Sequence, residues 1–168
     1  MKPATGQAQA EAHYRALMDQ QLTLQLATCN KAGEAEISYA AYLHQDGCFY
    51  IYVSALAAHT GNMLRNHQAG VMFIQPESAA DNVFARQRLI FNCKVREVNN
   101  NEGLYNAVLD AMQNRFGGII DVLRSLSDFH LLALTPGSGQ YVAGFGQAYQ
   151  VDVVSGQLHP LVIDKAKP

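Results

Sequence analysis

Hydrophobic positions in the first third of the chain form short apolar runs rich in β-branched and aromatic residues, separated by glycine-containing turns. Such runs predict strands at 22–28, 34–43 and 48–54. The connections at 30–33 (NKAG) and 44–47 (HQDG) are short and end in glycine, which favours tight turns. Successive strands are therefore predicted to pair as hairpins, which is typical of an antiparallel meander or barrel.

Helices are predicted on both sides of these strands. Residues 7–20 are rich in Ala, Glu and Gln, which favours a helix, and residues 102–115 repeat apolar side chains at helical spacing. One face of the second helix is expected to pack on the sheet. A further short helix is predicted at 119–126, and the short block at 57–66 also reads as helical.

The remaining apolar runs are expected to complete the barrel. Strands are predicted at 69–75, 86–98, 128–134, 139–143 and 147–154. The first of them is apolar almost throughout, which predicts cover on both faces, and the turn residues at 136–139 predict a hairpin. Gly144 and Gly146 indicate a bulge before the last strand. Six to eight strands with peripheral helices indicate a mainly β fold.

Length and composition narrow the class of protein. With 168 residues, residues 1–168 are expected to form a single domain that buries a core without disulfides or metals. Twelve basic and 14 acidic residues give a formal charge of −2, which argues against a nucleic-acid binder that relies on overall positive charge. Because only 15% of the residues are charged, we expect either an obligate oligomer or a surface rich in Gln and Asn.

The cysteines and the N-terminal segment bear on the compartment. Cys29, Cys48 and Cys93 lie in apolar surroundings without CxxC spacing, so reduced, buried thiols are expected rather than a disulfide or zinc framework. No apolar run approaches the roughly 18 residues of a membrane span. The N-terminal segment lacks the apolar stretch of a secretory signal. We therefore expect a cytoplasmic protein without membrane insertion.

The most informative block covers residues 54–74 (SALAAHTGNMLRNHQAGVMFI). A strand end leads into a short helix that carries His59, Thr60 and Asn62, and the chain then enters the next strand. In a small barrel, this order places imidazole, hydroxyl and amide groups at the rim, beside the unpaired N–H groups of a helix start. Such a rim suits an anionic cofactor.

Two arginines are expected to reach the same rim. Arg86 and Arg88 are two residues apart in a predicted strand and should share one face. Their guanidinium groups suit oxyanions such as propionates or a phosphate, and a salt-bridged dimer interface is the alternative interpretation. By the same spacing, Asp128 and His130 should share a strand face and one pocket, with solvent exposure at an edge strand as the alternative.

The order of these segments resembles a known family. The stretches LQLATCNKAGEAEISYAAYL, FYIYVSALAAHTGN, VFARQRLIFNC, RFGGIIDVLRSLSDF and GFGQAYQV are similar to the pyridoxamine 5'-phosphate-oxidase-like split barrels that bind FMN. More specifically, they resemble the heme-utilisation branch of that superfamily, the HugZ/HutZ-type proteins. The resemblance covers roughly residues 22–151. It implies an antiparallel split barrel that forms homodimers, with the cofactor in the cleft between two barrels.

In the heme-utilisation branch, the resemblance implies heme at the dimer interface and possible oxidative degradation that releases iron. The iron ligand is a His from a flexible C-terminal tail, expected here at residues 155–168, and an Asp of the partner tunes it. Asp128 matches that Asp, although a turn cap is its alternative role, and His59 and Arg88 match pocket positions. The chain ends in IDKAKP rather than the family's Gly-His-Arg-like segment, and His159 is the remaining tail histidine.

The FMN-dependent oxidoreductases of the superfamily provide a second hypothesis. In that case Ser54, His59, Thr60 and Arg88 would hold the flavin phosphate. This chain departs from the flavin enzymes because His59 stands where they carry Lys, and the strand EISYA lacks their Arg. A third hypothesis is a heme carrier without turnover. Taken together, the cofactor-binding candidates are Ser54, His59, Thr60, Asn62, Arg86 and Arg88.

Overall fold

A computed structural model of the protein describes residues 4–161. In chain order the elements are α1 (Ala4–Asp19), β1 (Thr23–Cys29), β2 (Ala35–Gln45), β3 (Cys48–Ser54), α2 (Ala58–Asn66), β4 (Gln68–Ile74), β5 (Arg88–Val98), α3 (Gly103–Phe116), α4 (Ile119–Arg124), β6 (Phe129–Gly144), β7 (Gln147–Val151) and β8 (Leu158–Pro160). Among these described residues, no helix is long and apolar enough to cross a membrane.

The strands form one sheet in the order β3-β2-β1-β4-β5-β6-β7-β8. Strand β3 pairs antiparallel with β2 and also with β6, so the first six strands of this order close into an antiparallel barrel. The predicted hairpins at 30–33 and 44–47 both form, with Gly33 and Gly47 at positive φ. The prediction of a mainly β antiparallel barrel with peripheral helices is confirmed.

The chain divides into two compact units, through which β4, β5 and β6 all pass. The first contains α1 and residues 72–91 and 138–161, and the second contains residues 22–71 and 92–137. In the second unit, α3 buries Val108, Leu109 and Met112 against strands β3 and β6. This confirms that the apolar repeat of α3 packs on the sheet.

In the first unit, α1 holds the C-terminal strand. The side chain of Gln7 donates to the carbonyl of Leu158 at 2.7 Å, and the amide of Leu158 donates to Glu11 at 3.1 Å. Leu158 is fully buried, and residues 158–160 pair with β7 as strand β8. This segment differs from the flexible tail that the sequence predicts from residue 155 onward. The remaining tail residues, 162–168, lie outside the described part of the chain.

Strand β6 corrects the predicted hairpin at 136–139. The strand is continuous. It pairs with β3 up to Leu134 and with β7 from Gly139 onward. Pro136 lies between these two ladders, where a missing N–H costs no hydrogen bond to either partner. Gly139 faces Phe91 and Val151 so closely that it serves close packing instead of a turn.

The cover of β4 and the end of β7 differ from the sequence-based predictions, whereas the predicted bulge forms. Strand β4 buries Ala69, Val71 and Phe73, while the side chains between them stay partly exposed, so only one of its faces is fully covered. The barrel interior takes alternate side chains, which is why an apolar run does not guarantee two buried faces. The predicted bulge is confirmed, since the β6–β7 register shifts between Val142 and Gly144. β7 ends at residue 151 and is followed by β8.

Candidate cofactor-binding site

The junction between β3 and α2 is built around the carbonyl of Ser54. This carbonyl accepts hydrogen bonds from the amide of Ala57 at 3.1 Å and from the hydroxyl of Thr60 at 2.7 Å. The N-cap residue Ala57 has no side chain that can cap the helix, and the fully buried Thr60 ties α2 to the strand end instead. The hydroxyl proton of Thr60 is therefore already engaged within the protein.

Asp128 lies directly beside this junction. Its carboxylate Oδ2 accepts a hydrogen bond from the hydroxyl of Ser54 at 2.5 Å, and its carbonyl accepts from the amide of Ala55 at 2.7 Å. The amide of Leu56 donates to the hydroxyl oxygen of Ser54 at 3.1 Å. The pairing of β3 with β6 brings Ser54 and Asp128 together across a long stretch of sequence. Among the described residues, the side-chain partner of this carboxylate is therefore Ser54.

His59 sits at the first turn of α2 and contacts strand β2. Its Nδ1 lies 2.9 Å from the hydroxyl oxygen of Ser38, while Nε2 is buried and has no hydrogen-bond partner among the described residues. Burial lowers the pKa of His59 below its ordinary value, because the charged imidazolium loses hydration. At neutral pH the residue is therefore uncharged, unlike the Lys of the flavin enzymes.

Asn62 faces the strands beneath α2. Its side-chain amide is buried and donates to the hydroxyl of Thr28 at 3.1 Å and to the carboxylate of Glu36 at 2.6 Å. Arg65 reaches its carbonyl oxygen at 3.4 Å. Asn62 therefore fastens α2 to β1 and β2, and its polar atoms are occupied by neighbouring side chains.

At its C-terminal end, α2 passes into β4 without a loop. His67 takes a left-handed conformation with φ 54°, and its amide donates to the carbonyl of Met63 at 2.9 Å. Its own carbonyl accepts from the amide of Val95 on β5 at 2.9 Å. The helix that carries His59, Thr60 and Asn62 is therefore fixed at both ends by backbone hydrogen bonds.

Arg86 and Arg88 belong to the first unit, whereas Ser54 and Asp128 belong to the second. Arg86 follows a short 3₁₀ turn and precedes β5, so the prediction that both arginines share a strand face is wrong. Its Nε donates to the carbonyl of Gln75 at 2.8 Å, and Nη1 lies 3.4 Å from Glu77. Arg88 begins β5, is half-buried and donates to the carbonyl of Arg86 at 3.4 Å.

His130 and Asp128 do not share a hydrogen-bond partner. Nδ1 of His130 lies 2.6 Å from Oε1 of Glu97 on the neighbouring strand β5. This pair lines a cavity of about 220 Å³ together with Tyr105 and Phe129. Sequence reasoning missed Glu97 and Ser38, because their contacts depend on strand pairing or on helix packing, which local patterns do not reveal.

The tail candidate His159 lies in β8, in register with Gln150 of β7, and its side chain is exposed. It belongs to the first unit. Across residues 4–161, no group of three or more His, Cys, Asp or Glu side chains is arranged to hold a metal ion.

Comparisons with known proteins place the chain in a family. The family model for pyridoxamine 5'-phosphate oxidase matches residues 10–143. The heme oxygenase HutZ of Vibrio cholerae is 38% identical over 145 residues, which cover 86% of this chain and 82% of that protein.

Solved structures agree with this match. HutZ of Vibrio cholerae, described as a heme storage protein, superposes with a TM-score of 0.75 at 33% identity, over 80% of this chain and 94% of that one. ChuZ of Campylobacter jejuni superposes with a TM-score of 0.79 at 30% identity, over 90% of this chain and 62% of that one. The chain therefore belongs to the pyridoxamine 5'-phosphate oxidase family and, within it, to the HutZ-type proteins.

Proposed function

We propose that this protein binds heme in the service of heme utilisation. The similarity to HutZ, which is named a heme oxygenase in one case and a heme storage protein in another, supports this proposal. The observation that carries it in the chain itself is the pair formed by Ser54 and Asp128 at the end of β3. This pair offers a fixed carboxylate at the position where a phosphate-binding site would need hydrogen-bond donors.

The donor set argues against FMN as the cofactor. A phosphate dianion is held by charged or free donors, yet the hydroxyls of Ser54 and Thr60 donate to protein oxygens. The amide of Asn62 likewise donates to Thr28 and Glu36. His59 is neutral at neutral pH, and the nearby carboxylate of Asp128 would repel the phosphate. FMN remains the second candidate because of the family match alone.

The same groups fit heme better. An iron-bound imidazole is oriented by a hydrogen bond from its second nitrogen to an acceptor, and a carboxylate is a common one. In our proposal Asp128 supplies this acceptor to the iron-bound imidazole of the partner subunit. Leu56, 92% exposed, and the exposed Leu126 lie two residues from Ser54 and Asp128 along the chain and offer apolar contacts for a porphyrin. Heme, when bound, would supply an iron able to react with O₂.

The further residue assignments follow from this proposal. Arg86 and Arg88 are proposed to pair with the heme propionates, since guanidinium groups suit carboxylates. His159 is proposed as the axial ligand, because it is the only histidine beyond residue 130 and its exposed side chain is available to a bound group. The cytoplasmic location also stays a prediction.

We further propose a homodimer that forms through the outer face of β1 and β2. Ile37 is 86% and Tyr39 69% exposed, and in the antiparallel register they stand beside Ala27 and Gln25. A contiguous apolar patch on the surface is typical of a protein–protein interaction site. This face carries no charged side chain among the residues Thr23, Gln25, Ala27, Cys29, Ala35, Ile37, Tyr39 and Ala41.

An absorbance titration of the purified full-length protein with hemin and, separately, with FMN tests the function. We expect a saturable Soret band with hemin and no binding of FMN at similar concentrations. Binding of FMN without binding of hemin would overturn the proposal. Asp128→Asn should shift the Soret band, and His159→Ala should shift or abolish it, while His13→Ala, at an exposed position on α1, should change nothing.

The same complex separates an enzyme from a carrier. Loss of the Soret band in the presence of ascorbate and O₂ indicates oxidative degradation of heme. A band that persists under these conditions, with hemin still bound, indicates a carrier. Catalase added to a parallel sample controls for degradation by free peroxide.

A further inference from the structure

The side chain of Asp128 is held through a chain of hydrogen bonds that begins at the backbone. The amide of Leu56 donates to the hydroxyl oxygen of Ser54 at 3.1 Å, and that hydroxyl donates to Oδ2 of Asp128 at 2.5 Å. A serine hydroxyl has one proton, and the amide occupies one of its lone pairs. The proton of Ser54 is therefore directed at Asp128.

The backbone of Asp128 is fixed independently of its side chain. Its carbonyl accepts from the amide of Ala55 at 2.7 Å, which continues the ladder in which Ser54 pairs with Phe129. With the backbone and Oδ2 both held, the carboxylate keeps one orientation. Within residues 4–161, no side chain or amide donates to Oδ1, so this oxygen is the acceptor still available to an added group.

We propose that Ser54 is a positioning residue that holds Asp128 in one rotamer, so that Oδ1 is offered to the hydrogen-bond donor of the group bound at this site. The identity of that donor, the N–H of an iron-bound imidazole, rests on the proposed function. A carboxylate ordered in advance loses less side-chain freedom on binding, and this strengthens the interaction. The role also explains why Ser54 is unsuited to grip a phosphate.

Three variants separate positioning from packing. Ser54→Ala removes the hydroxyl, Ser54→Thr keeps it, and Ser127→Ala is the matched control, because Ser127 is exposed next to Asp128 and makes no hydrogen bond to the described residues. The thermal unfolding midpoint of each variant identifies any that fails to fold. Ser54→Thr keeps the test decisive if Ser54→Ala is unstable.

The first measurement needs no heme. In the apoprotein, the three-bond couplings between Hα and the two Hβ protons of Asp128 report its rotamer. We expect values for one rotamer in the wild type, Ser54→Thr and Ser127→Ala. In Ser54→Ala the couplings should move to the values expected for a side chain that exchanges between χ1 rotamers. Unchanged couplings in Ser54→Ala would overturn the positioning role.

The second measurement is the hemin dissociation constant from the Soret titration. Loss of a hydrogen bond to a charged group predicts affinity weakened about tenfold in Ser54→Ala, with near wild-type values for Ser54→Thr and Ser127→Ala. Equal affinities in Ser54→Ala and the wild type would overturn the proposal. Wild-type protein that binds no hemin would instead overturn the proposed function, and the couplings would still decide whether Ser54 positions Asp128.

Discussion

Nδ1 of His59 lies 2.9 Å from the hydroxyl oxygen of Ser38, while Nε2 of the same ring is buried without a partner among the described residues. The ring is thus held on one side by strand β2 and enclosed on the other. Protonation would place an N–H on both ring nitrogens, and the one at Nε2 would have no acceptor among the described residues. The pair therefore links the protonation state of His59 to the attachment of α2.

A loss of stability in mild acid follows from this arrangement. The pKa of His59 is lowered in the folded state, so the unfolded chain binds the proton more readily. Stability is fully present above about pH 6.5, the ordinary pKa of His, and falls as the pH decreases toward the folded pKa. Urea unfolding at pH 7.5, 6.5 and 5.5 measures this dependence.

His59→Gln should flatten this pH dependence, because its side chain does not titrate. His13→Gln is the matched control, since His13 is exposed on α1, and it should keep the wild-type slope. An equal slope in the wild type and in His59→Gln would show that another group causes the acid effect.

Asn62→Ala should destabilise the protein more than it affects cofactor binding. The change removes the donor to Thr28 and Glu36 and leaves both acceptors in a largely buried place. We expect a loss of about 2–3 kcal/mol in the free energy of unfolding, measured with urea. Asn66→Ala removes one exposed hydrogen bond, to the carbonyl of Cys29, and should cost below about 1 kcal/mol.

A different result would indicate that Asn62 contacts the cofactor. If Asn62→Ala keeps its stability while hemin binding weakens, then its amide contacts the bound group. The comparison therefore separates the two roles of this residue by two measurements on one variant.

Gly139→Ala should be poorly tolerated. A Cβ at this position would lie 2.6 Å from Cε1 of Phe91 and 3.0 Å from Cβ of Val151. Neither a packed ring nor a strand residue moves freely, so we expect a loss of about 1–3 kcal/mol in the free energy of unfolding. Gly137→Ala is the control, because its Cβ would meet only the carbonyl oxygen of Asn92, at 3.6 Å. Similar losses in both variants would contradict the packing argument.

The reactivity of Cys29 should report the proposed dimer. Cys29 is exposed in the protomer and shares the outer face of β1 and β2 with Ile37. Association through this face should slow its labelling by a thiol reagent as the protein concentration rises. Ile37→Glu should remove that dependence and give a monomer in sedimentation analysis, since a buried, unpaired charge opposes association.

Cys48 and Cys93 provide the internal control. Both are buried, and burial raises the pKa of the Cys93 thiol to about 12 and also raises that of Cys48. They should label slowly at every protein concentration and rapidly only in urea. A labelling rate of Cys29 that is independent of concentration, in a protein that sediments as a dimer, would place the interface elsewhere.

Local chemistry explains which parts of the fold were predictable. The turns ending in Gly33 and Gly47 were found because a glycine with positive φ leaves a clear mark in the sequence. The segment at 136–139 is also rich in turn-forming residues, yet β6 runs through it. There the reason is close packing of Gly139 on Phe91 and Val151, which depends on residues distant in sequence.

Only some residues of the candidate site could be predicted from the sequence as neighbours, and none of their hydrogen bonds could. Ser54, Thr60 and Asp128 were all named from the sequence, and the structure brings these three together. The direction of each hydrogen bond depends on the β3–β6 register, which places Asp128 beside Ser54. The sequence predicts a strand at 86–98 that includes Arg86, whereas the 3₁₀ turn ends just before Arg86 and β5 begins at Arg88.

The direct passage from α2 into β4 at His67 restricts how this region can change in evolution or design. Adding or deleting one residue in α2 would rotate the preceding turn by about 100° and shift it by about 1.5 Å. His59 would then face away from Ser38, and Thr60 away from Ser54. The fold should therefore tolerate substitutions in α2 better than insertions or deletions. Natural variants should keep the spacing between His59 and His67 unchanged.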